Sequence, residues 1–367
     1  MADPAKNGPL SLGEKASLAF ALLIAAPIRL VAFLVIYTLF ALRHGYNVRF
    51  YLTCAGVRIL FSSFSGRQIQ ALVPSTRQSY DSWMHRHGLV ARVEALAVQG
   101  APDAALLWIG DKQRATTVVL YFHGGGFVVP ASQGHMELCW RAYVQPSQGR
   151  VAVALLEYSL SPGSKFPVQL RQAAAGLGAV LDAGFRAGNI VFGGDSAGGN
   201  MAMQLVSHVL HPVDAAARRL SLDEPVAGVF LVSPWVARST ESWSFAQNAS
   251  NDMLTTSIVS QLGLEHFGPP TVNLAAIGPF TPQWLERLHH VTRRVYLAGG
   301  RREVFAAHLA ELAQLLAKLD PALDLRVELP DQEAHDFILV EGLNRTTGPA
   351  TTRMHDWLEP IVAAARP

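Results

Sequence analysis

Gly194-Asp195-Ser196-Ala197-Gly198 sets a serine between glycines, directly after the apolar run Ile190-Val191-Phe192 and ahead of a helical stretch, Met201 to Val209. A serine hydroxyl attacks a carbonyl only when a base takes its proton, and that base needs a third group to orient it. The spacing suits this chemistry. A sharp strand-to-helix turn lifts the hydroxyl above a sheet, and the flanking glycines are needed because a Cβ on either side would collide with the turn or the packed helix. Alone, so short a pattern is equally compatible with a purely structural turn. A second glycine cluster, His123-Gly124-Gly125-Gly126, follows the strand-like run Thr116 to Phe122. Adjacent glycines there let backbone N–H groups point inward at a developing oxyanion. The amides of Gly125 and Gly126, with that of Ala197, are the candidate donors. His123 and Gly124 are read as organising that loop, because His123 precedes the serine on a different strand.

The base and its orienting acid are expected after the serine, at later strand ends. The loop Gly299 to Glu303, which follows the run Arg294 to Ala298, supplies Glu303; the loop Pro330 to Asp336, which follows Leu325 to Leu329, supplies His335. Most histidines are surface or packing residues, and position is what singles out His335. Glu303 could also serve as a carboxylate at a helix N-terminus, a role compatible with catalysis. Its competitors are worse placed: Glu311 lies two turns into a helix, Asp320 and Asp324 flank the opposite edge, and Glu333 and Asp336 are too near His335 in sequence to reach behind its ring.

These residues need elements to carry them. Strand-like runs at Leu89 to Val98, Ala105 to Ile109, Thr116 to Phe122, Val151 to Leu156, Ile190 to Phe192 and Val226 to Val232 alternate with helical stretches at 134–144, 166–183 and 201–209. The pattern resumes with Arg294 to Ala298, a helix over 304–319, Leu325 to Leu329 and a closing helix near 351–365. Strands apolar on both faces indicate an α/β fold with a mainly parallel sheet covered by helices on both faces, and such sheets bind ligands at the carboxyl ends of their strands. The alternation fails over 236–290, too long for an ordinary loop. It reads as an inserted lid, meeting the mixed helical stretch 46–88 to form a helical cap in which Phe245 and Leu254 would sense the substrate chain. The expected organisation is an N-terminal segment 1–45, a first cap portion 46–88 and a catalytic domain 89–367.

Ala16 to Leu42 is almost wholly apolar, its one charge being Arg29, two residues after Pro27. About 20 apolar residues cross a bilayer, although a central Arg costs roughly 2.5–3.5 kcal/mol on the insertion scale. The segment is expected to associate with a membrane, with an endomembrane location, and to be dispensable for folding. An interfacial helix or hairpin bent at Pro27, or a helix folded on the protein itself, are the rival readings. Lys+Arg 30 against Asp+Glu 28 gives no pull toward nucleic acid. Two cysteines, Cys54 and Cys139, make neither a disulfide framework nor a metal site. Asn248-Ala249-Ser250 and Asn344-Arg345-Thr346 match the N-glycosylation pattern.

His123-Gly-Gly-Gly, Gly194-Asp195-Ser196-Ala197-Gly198-Gly199 and Glu333-Ala334-His335-Asp336 together resemble the hormone-sensitive lipase family of α/β-hydrolases, which includes arylacetamide deacetylase-like esterases. Leu156 to Pro162, Ser233-Pro234-Trp235, Ser244-Phe245, Asn248 to Leu254 and Gln68 to Ala71 extend the likeness, several of them toward a fungal-type subgroup. The family's usual Asp-Pro-Leu acid motif stands here as Glu303-Val304-Phe305. The resemblance implies hydrolysis of a small apolar ester through an acyl-enzyme on Ser196, with His335 and Glu303, and with no metal or cofactor. An acyltransferase or cyclase using the same machinery, and a binding module of the kind plant gibberellin receptors represent, are the alternatives.

Overall fold

A computed structural model describes residues 9–365, apart from 213, 215, 216 and 269–286. The part of the expected lid over 269–286 therefore lies outside the described residues. Eight strands form one sheet: β1 (Arg92–Leu96), β2 (Ala104–Ile109), β3 (Thr117–Phe122), β4 (Val151–Glu157), β5 (Ile190–Asp195), β6 (Gly228–Val232), β7 (Arg294–Ala298) and β8 (Asp324–Glu328). Their order is β1-β2-β4-β3-β5-β6-β7-β8. β2 runs antiparallel to β1 and β4, and every other pairing is parallel.

Every residue of β2 to β6 is buried, and period-two alternation divides the side chains between two cores. Leu120, Phe122 and Phe192 face one layer of helices, while Val119, Tyr121 and Val191 face the other. The first layer includes α6 (Val168–Asp182), α7 (Ala197–Leu210) and α10 (Ala306–Leu319); the second includes α5 (Gln133–Cys139) and α12 (Pro349–Ala364). Burying a side chain the size of Phe192 contributes about 1.5–3 kcal/mol, so both faces hold the sheet. This is the expected mainly parallel sheet.

The N-terminal region departs from the expected division. Leu12–His44 is one helix, α1, with a π turn at Ala21–Ala25 ahead of Pro27. The wider turn accommodates a residue that has no N–H and whose ring crowds the preceding turn, so the chain passes Pro27 without becoming a hairpin. It is the one described helix long and apolar enough to cross a membrane by length and composition. Three helices follow: α2 (Val48–Ser63), α3 (Gly66–Leu72) and α4 (Thr76–Arg86). Asn47 caps the first, and Ser65-x-x-Gln68 and Ser75-x-x-Gln78 form capping boxes that begin the other two. α4 does not belong with the cap. Its Tyr80, Trp83 and Met84 sit in the second core beside β2, β3 and α5, because its apolar face matches the sheet flank. The cap insertion contributes α8 (Trp243–Asn248) and α9 (Thr256–Phe267). A further helix, α11 (Phe337–Leu343), begins directly after His335 and Asp336.

Candidate active site

Ser196 follows β5 with φ 50° and ψ −113°, a backbone conformation that costs on the order of 1–3 kcal/mol. Three backbone bonds hold it there: its N–H donates to Val232 O at 2.8 Å, and its carbonyl accepts from Trp235 and Asn200 at 3.0 and 3.1 Å. The close approach of β3 makes glycine necessary at 198, where a Cβ would lie 1.8 Å from the Phe122 carbonyl oxygen.

The Ser196 Oγ stands 2.9 Å from Nε2 of His335, and Nδ1 of His335 stands 3.1 Å from Oε2 of Glu303. With its Nδ1–H donating to the carboxylate, the ring is left with Nε2 free to accept the serine hydroxyl. Glu303 is fully buried and His335 is 3% exposed. Burial opposes an imidazolium, but the hydrogen bond to Glu303 and its charge, with those of Asp252 and Asp195, outweigh it and lift His335 above the ordinary histidine range. The three groups come from the carboxyl ends of β5, β7 and β8, as the chain order required.

The rejected carboxylates are engaged elsewhere. Glu333 accepts two bonds from Arg353, at 2.6 and 2.7 Å. Asp320 faces His289. Asp336 is turned by a left-handed φ of 55° toward Asp195, and burial together with that neighbouring charge pushes its carboxyl well above the usual range.

Gly125 and Gly126 both have positive φ, 102° and 61°, and both border the same cavity as Ser196. The Gly125 carbonyl accepts from Val128 and Val129, which pins the loop. Ala197 is the first residue of α7, where the peptide N–H has no intrahelical acceptor. His123 lies buried under Tyr158 with ring centroids 4.2 Å apart, and its Nδ1 is 2.8 Å from Gly124 O. Burial, aided by His135, pushes its pKa down to about 3, so it is a neutral packing group. Gly124 donates its N–H to Asp195 Oδ2 at 2.9 Å, so the residue before the serine ties the two glycine loops together. Burial opposes the Asp195 charge, yet His135 and the Tyr121 hydroxyl, 2.5 Å from Oδ1, hold it below the usual range.

Asp252 is a site residue that motif reading did not single out. Its carboxylate accepts from Val304 N at 2.7 Å and His335 N at 3.3 Å, straddling the two loops that carry Glu303 and His335. Burial, with Glu303 nearby and against the pull of His335, raises its pKa to about 6. The one available signal was the stretch Asn248 to Leu254, whose likeness to a subgroup had no role attached. Asn248 has a role in the same place: its amide donates to the carbonyls of Arg301 and Glu303 at 3.0 and 2.8 Å. Buried and doubly bonded, that amide is closed to glycosylation in the folded chain, and the Asn344 amide is likewise bonded to Thr53 and Val340.

Beside Ser196 opens a cavity of about 210 Å³, walled by Leu60 and Phe61 of α2, Leu254 and Leu262 of the cap insertion, and Phe305. Side chains from α2 and from the stretch between β6 and β7 thus border one space beside the serine. Leu254 borders the cavity; Phe245 does not, and packs instead on Phe305 and His308. Among the described residues no group of His, Cys, Asp or Glu is arranged to hold a metal ion. Cys54 and Cys139 are buried free thiols.

A family model described as alpha/beta hydrolase fold matches residues 119–339, more than half of the chain. An acetyl-hydrolase of Streptomyces hygroscopicus is 26% identical over 147 residues, 40% of this chain and 45% of that protein. The chain spans about half the length of the first curated relatives it matches. Among solved structures, carboxyl esterase 2 of the mycorrhizal fungus Tuber melanosporum superposes with a TM-score of 0.63 at 18% identity, covering 76% of this chain and 88% of that one. An esterase from the bacterial hormone-sensitive lipase family gives 0.60 at 20% identity, over 84% and 98%. Glycine loops, strand order and matched region agree, and the chain belongs to the hormone-sensitive-lipase-like family of α/β-hydrolases.

Proposed function

We propose that the chain is a serine carboxylesterase that cleaves an apolar ester through an acyl-enzyme. The observation that carries this reading is the unbroken run of hydrogen bonds Ser196–His335–Glu303, opening on an apolar cavity. Ser196 attacks the ester carbonyl while His335 Nε2 takes the hydroxyl proton and Glu303 stabilises the imidazolium. The negative charge that gathers on the carbonyl oxygen is met by the amides of Gly125, Gly126 and Ala197. His335 then passes its proton to the departing alkoxide, and water activated by the same imidazole releases the acid. The relatives' printed names, acetyl-hydrolase and esterase, support this class of substrate. On the same reading the enzyme is membrane-associated through α1.

Turnover of a chromogenic acetate ester tests the proposal. Ser196→Ala should lower it by several orders of magnitude, leaving what binding and oxyanion contacts alone provide. Retention of a tenth of wild-type turnover by a folded, esterase-free preparation would overturn it.

A further inference from the structure

α1 is apolar on both faces, but only one face is used. Residues 14, 18, 21, 25, 29, 33, 37 and 41 recur at helical spacing, and all are at least partly shielded. They tie the helix to the domain from end to end. The Glu14 carbonyl accepts from Gln68 at 3.1 Å, and its carboxylate pairs with Arg67 at 2.9 Å. Arg29 donates inward to Ser62 O at 2.6 Å and Ser63 Oγ at 3.1 Å. The Tyr37 hydroxyl donates to the Asp252 carbonyl and accepts from Arg58 at 3.1 Å.

The outer face is different. Leu23 is 78% exposed, Val31 66% and Leu39 61%, and from Ala16 to Leu42 this face carries no charge, because Arg29 is turned inward. Lys15 and Arg43 stand exposed at its two ends. The helix of 33 residues is about 50 Å long. Were it to cross a bilayer, the stretch of roughly 35 Å between Glu14, paired with Arg67, and Tyr37, bonded to Arg58, would bracket the hydrocarbon of about 30 Å and leave Arg29, with the Ser62 and Ser63 groups it bonds, inside it.

The inner face shares its packing with the cavity wall. Leu60, Phe61, Val73 and Val129 belong to the same apolar cluster, built on Ala21, Phe64 and Ile69, as Leu18 and Ala26 of α1, and these four side chains also border the space beside Ser196. The helix and the ester site thus share one apolar cluster, although no described residue of α1 borders the cavity itself.

We propose that α1 lies flat in the surface of an anionic bilayer, its outer face sunk among the acyl chains, and that the substrates are esters whose chains pass from that bilayer into the cavity. The substrate assignment rests on the esterase reading above. Charge selects lipid over a second copy of the chain. Pairing two such faces head to tail sets Lys15 against Arg43, and pairing them in parallel sets like against like, whereas anionic headgroups complement both ends.

Three measurements on the full-length chain test this, with the acetate ester reporting the esterase reading separately. In flotation, the wild type should bind phosphatidylcholine vesicles containing phosphatidylserine at least tenfold more tightly than phosphatidylcholine alone, and Leu23→Glu with Val31→Glu should lose that binding. This pair should leave acetate turnover within twofold while turnover of a long-chain ester carried in the vesicles falls at least tenfold. Gly13→Cys and Arg43→Cys, each on sealed vesicles, should both react with an impermeant maleimide added outside. Protection of one site would show a crossing helix and overturn the proposal. So would vesicle binding unchanged by the glutamates, or a dimer of the free chain that those glutamates dissolve. Loss of acetate turnover in the wild type would count against the esterase reading and leave the flat orientation to the labelling result.

Discussion

The β3–β5 centre and the α1–α2 pair are both apolar, yet they are fixed by opposite means. In the centre, side chains leave both faces of a strand into two cores, so the backbone is clamped on all sides and can be bent into a strained turn at Ser196. In the pair, a helix is clamped along one stripe by scattered polar bonds, and the opposite stripe has no protein partner among the described residues. Strain therefore belongs to the first region, where many contacts over-determine it. The second can give up a face to lipid without loosening the serine. Asp252 joins the two, its carbonyl bonded to Tyr37 and Arg58 and its carboxylate to the loops of Glu303 and His335.

The largest break is at the centre. Glu303→Gln removes the charge behind His335 and lets the ring take the wrong tautomer, a change that costs about 10⁴ in a serine protease. At least a hundredfold loss of kcat is expected. Glu333→Gln should cost less than about tenfold, because Glu333 is occupied by Arg353 and lies off the hydrogen-bonded run. Steady-state kinetics on one short ester separates them, and near-wild-type turnover for Glu303→Gln would move the acid elsewhere.

Asp252→Asn probes the joint. The carboxylate accepts from Met253, Val304 and His335, and an amide in its place offers one oxygen and presents N–H to N–H on the other side. An unsatisfied buried group of this kind costs about 1–3 kcal/mol, drawn here from the placement of Glu303 or His335. The expected result is kcat lower by about tenfold with KM for a short ester unchanged. A change confined to KM would place Asp252 in substrate binding rather than in support of the loops.

What the sequence made legible follows the same division. Glycines beside Ser196 announce themselves because only glycine survives a Cβ-to-carbonyl distance near 2 Å, and those of the 123–126 loop because a Cβ at Gly124 would strike the Asp195 carboxylate while Gly125 and Gly126 take positive φ; buried parallel strands are rich in Val, Leu and Ile. Glu303 and His335 were legible from chain order alone. Asp252 was not, since its partners are backbone N–H groups far away in sequence, which leave no residue-type signature. Nor was the placement of α4, whose mixed pattern is that of any amphipathic helix until the sheet flank is known. For α1, composition could state that the helix was apolar but not that Arg29 turns inward or that Tyr37 reaches Asp252.

A pH profile sharpens the comparison more gently. His335 works as a base only when neutral, and its pKa is raised above the ordinary 6.5 by Glu303, with help from Asp252 and Asp195 against burial. Activity should therefore fall as the pH drops through that raised value, with the acid limb of kcat/KM centred above 6.5. In Asp252→Asn, with one of the raising charges gone, the limb should move to lower pH. A limb that stays in place would separate Asp252 from the electrostatics of the ring.

The smallest expected effect lies in the cap, where Leu254 and Phe245 are both buried and were both expected to meet the substrate. Only Leu254 borders the cavity; Phe245 is turned onto Phe305 and His308, ahead of and within α10. One methylene in an apolar pocket is worth about 1–3 kcal/mol in discrimination. Leu254→Ala removes more than that from the wall and leaves room for a longer or bulkier chain. It should shift the ratio of kcat/KM for long against short chromogenic esters by about fivefold or more toward the long. Phe245→Leu alters packing behind Phe305 without touching the space the chain fills, so its ratio should stay within about twofold of wild type even if both rates fall together. Equal shifts in the two variants would mean that the cap moves as one body and that chain length is read by its position rather than by the side chains on its inner wall.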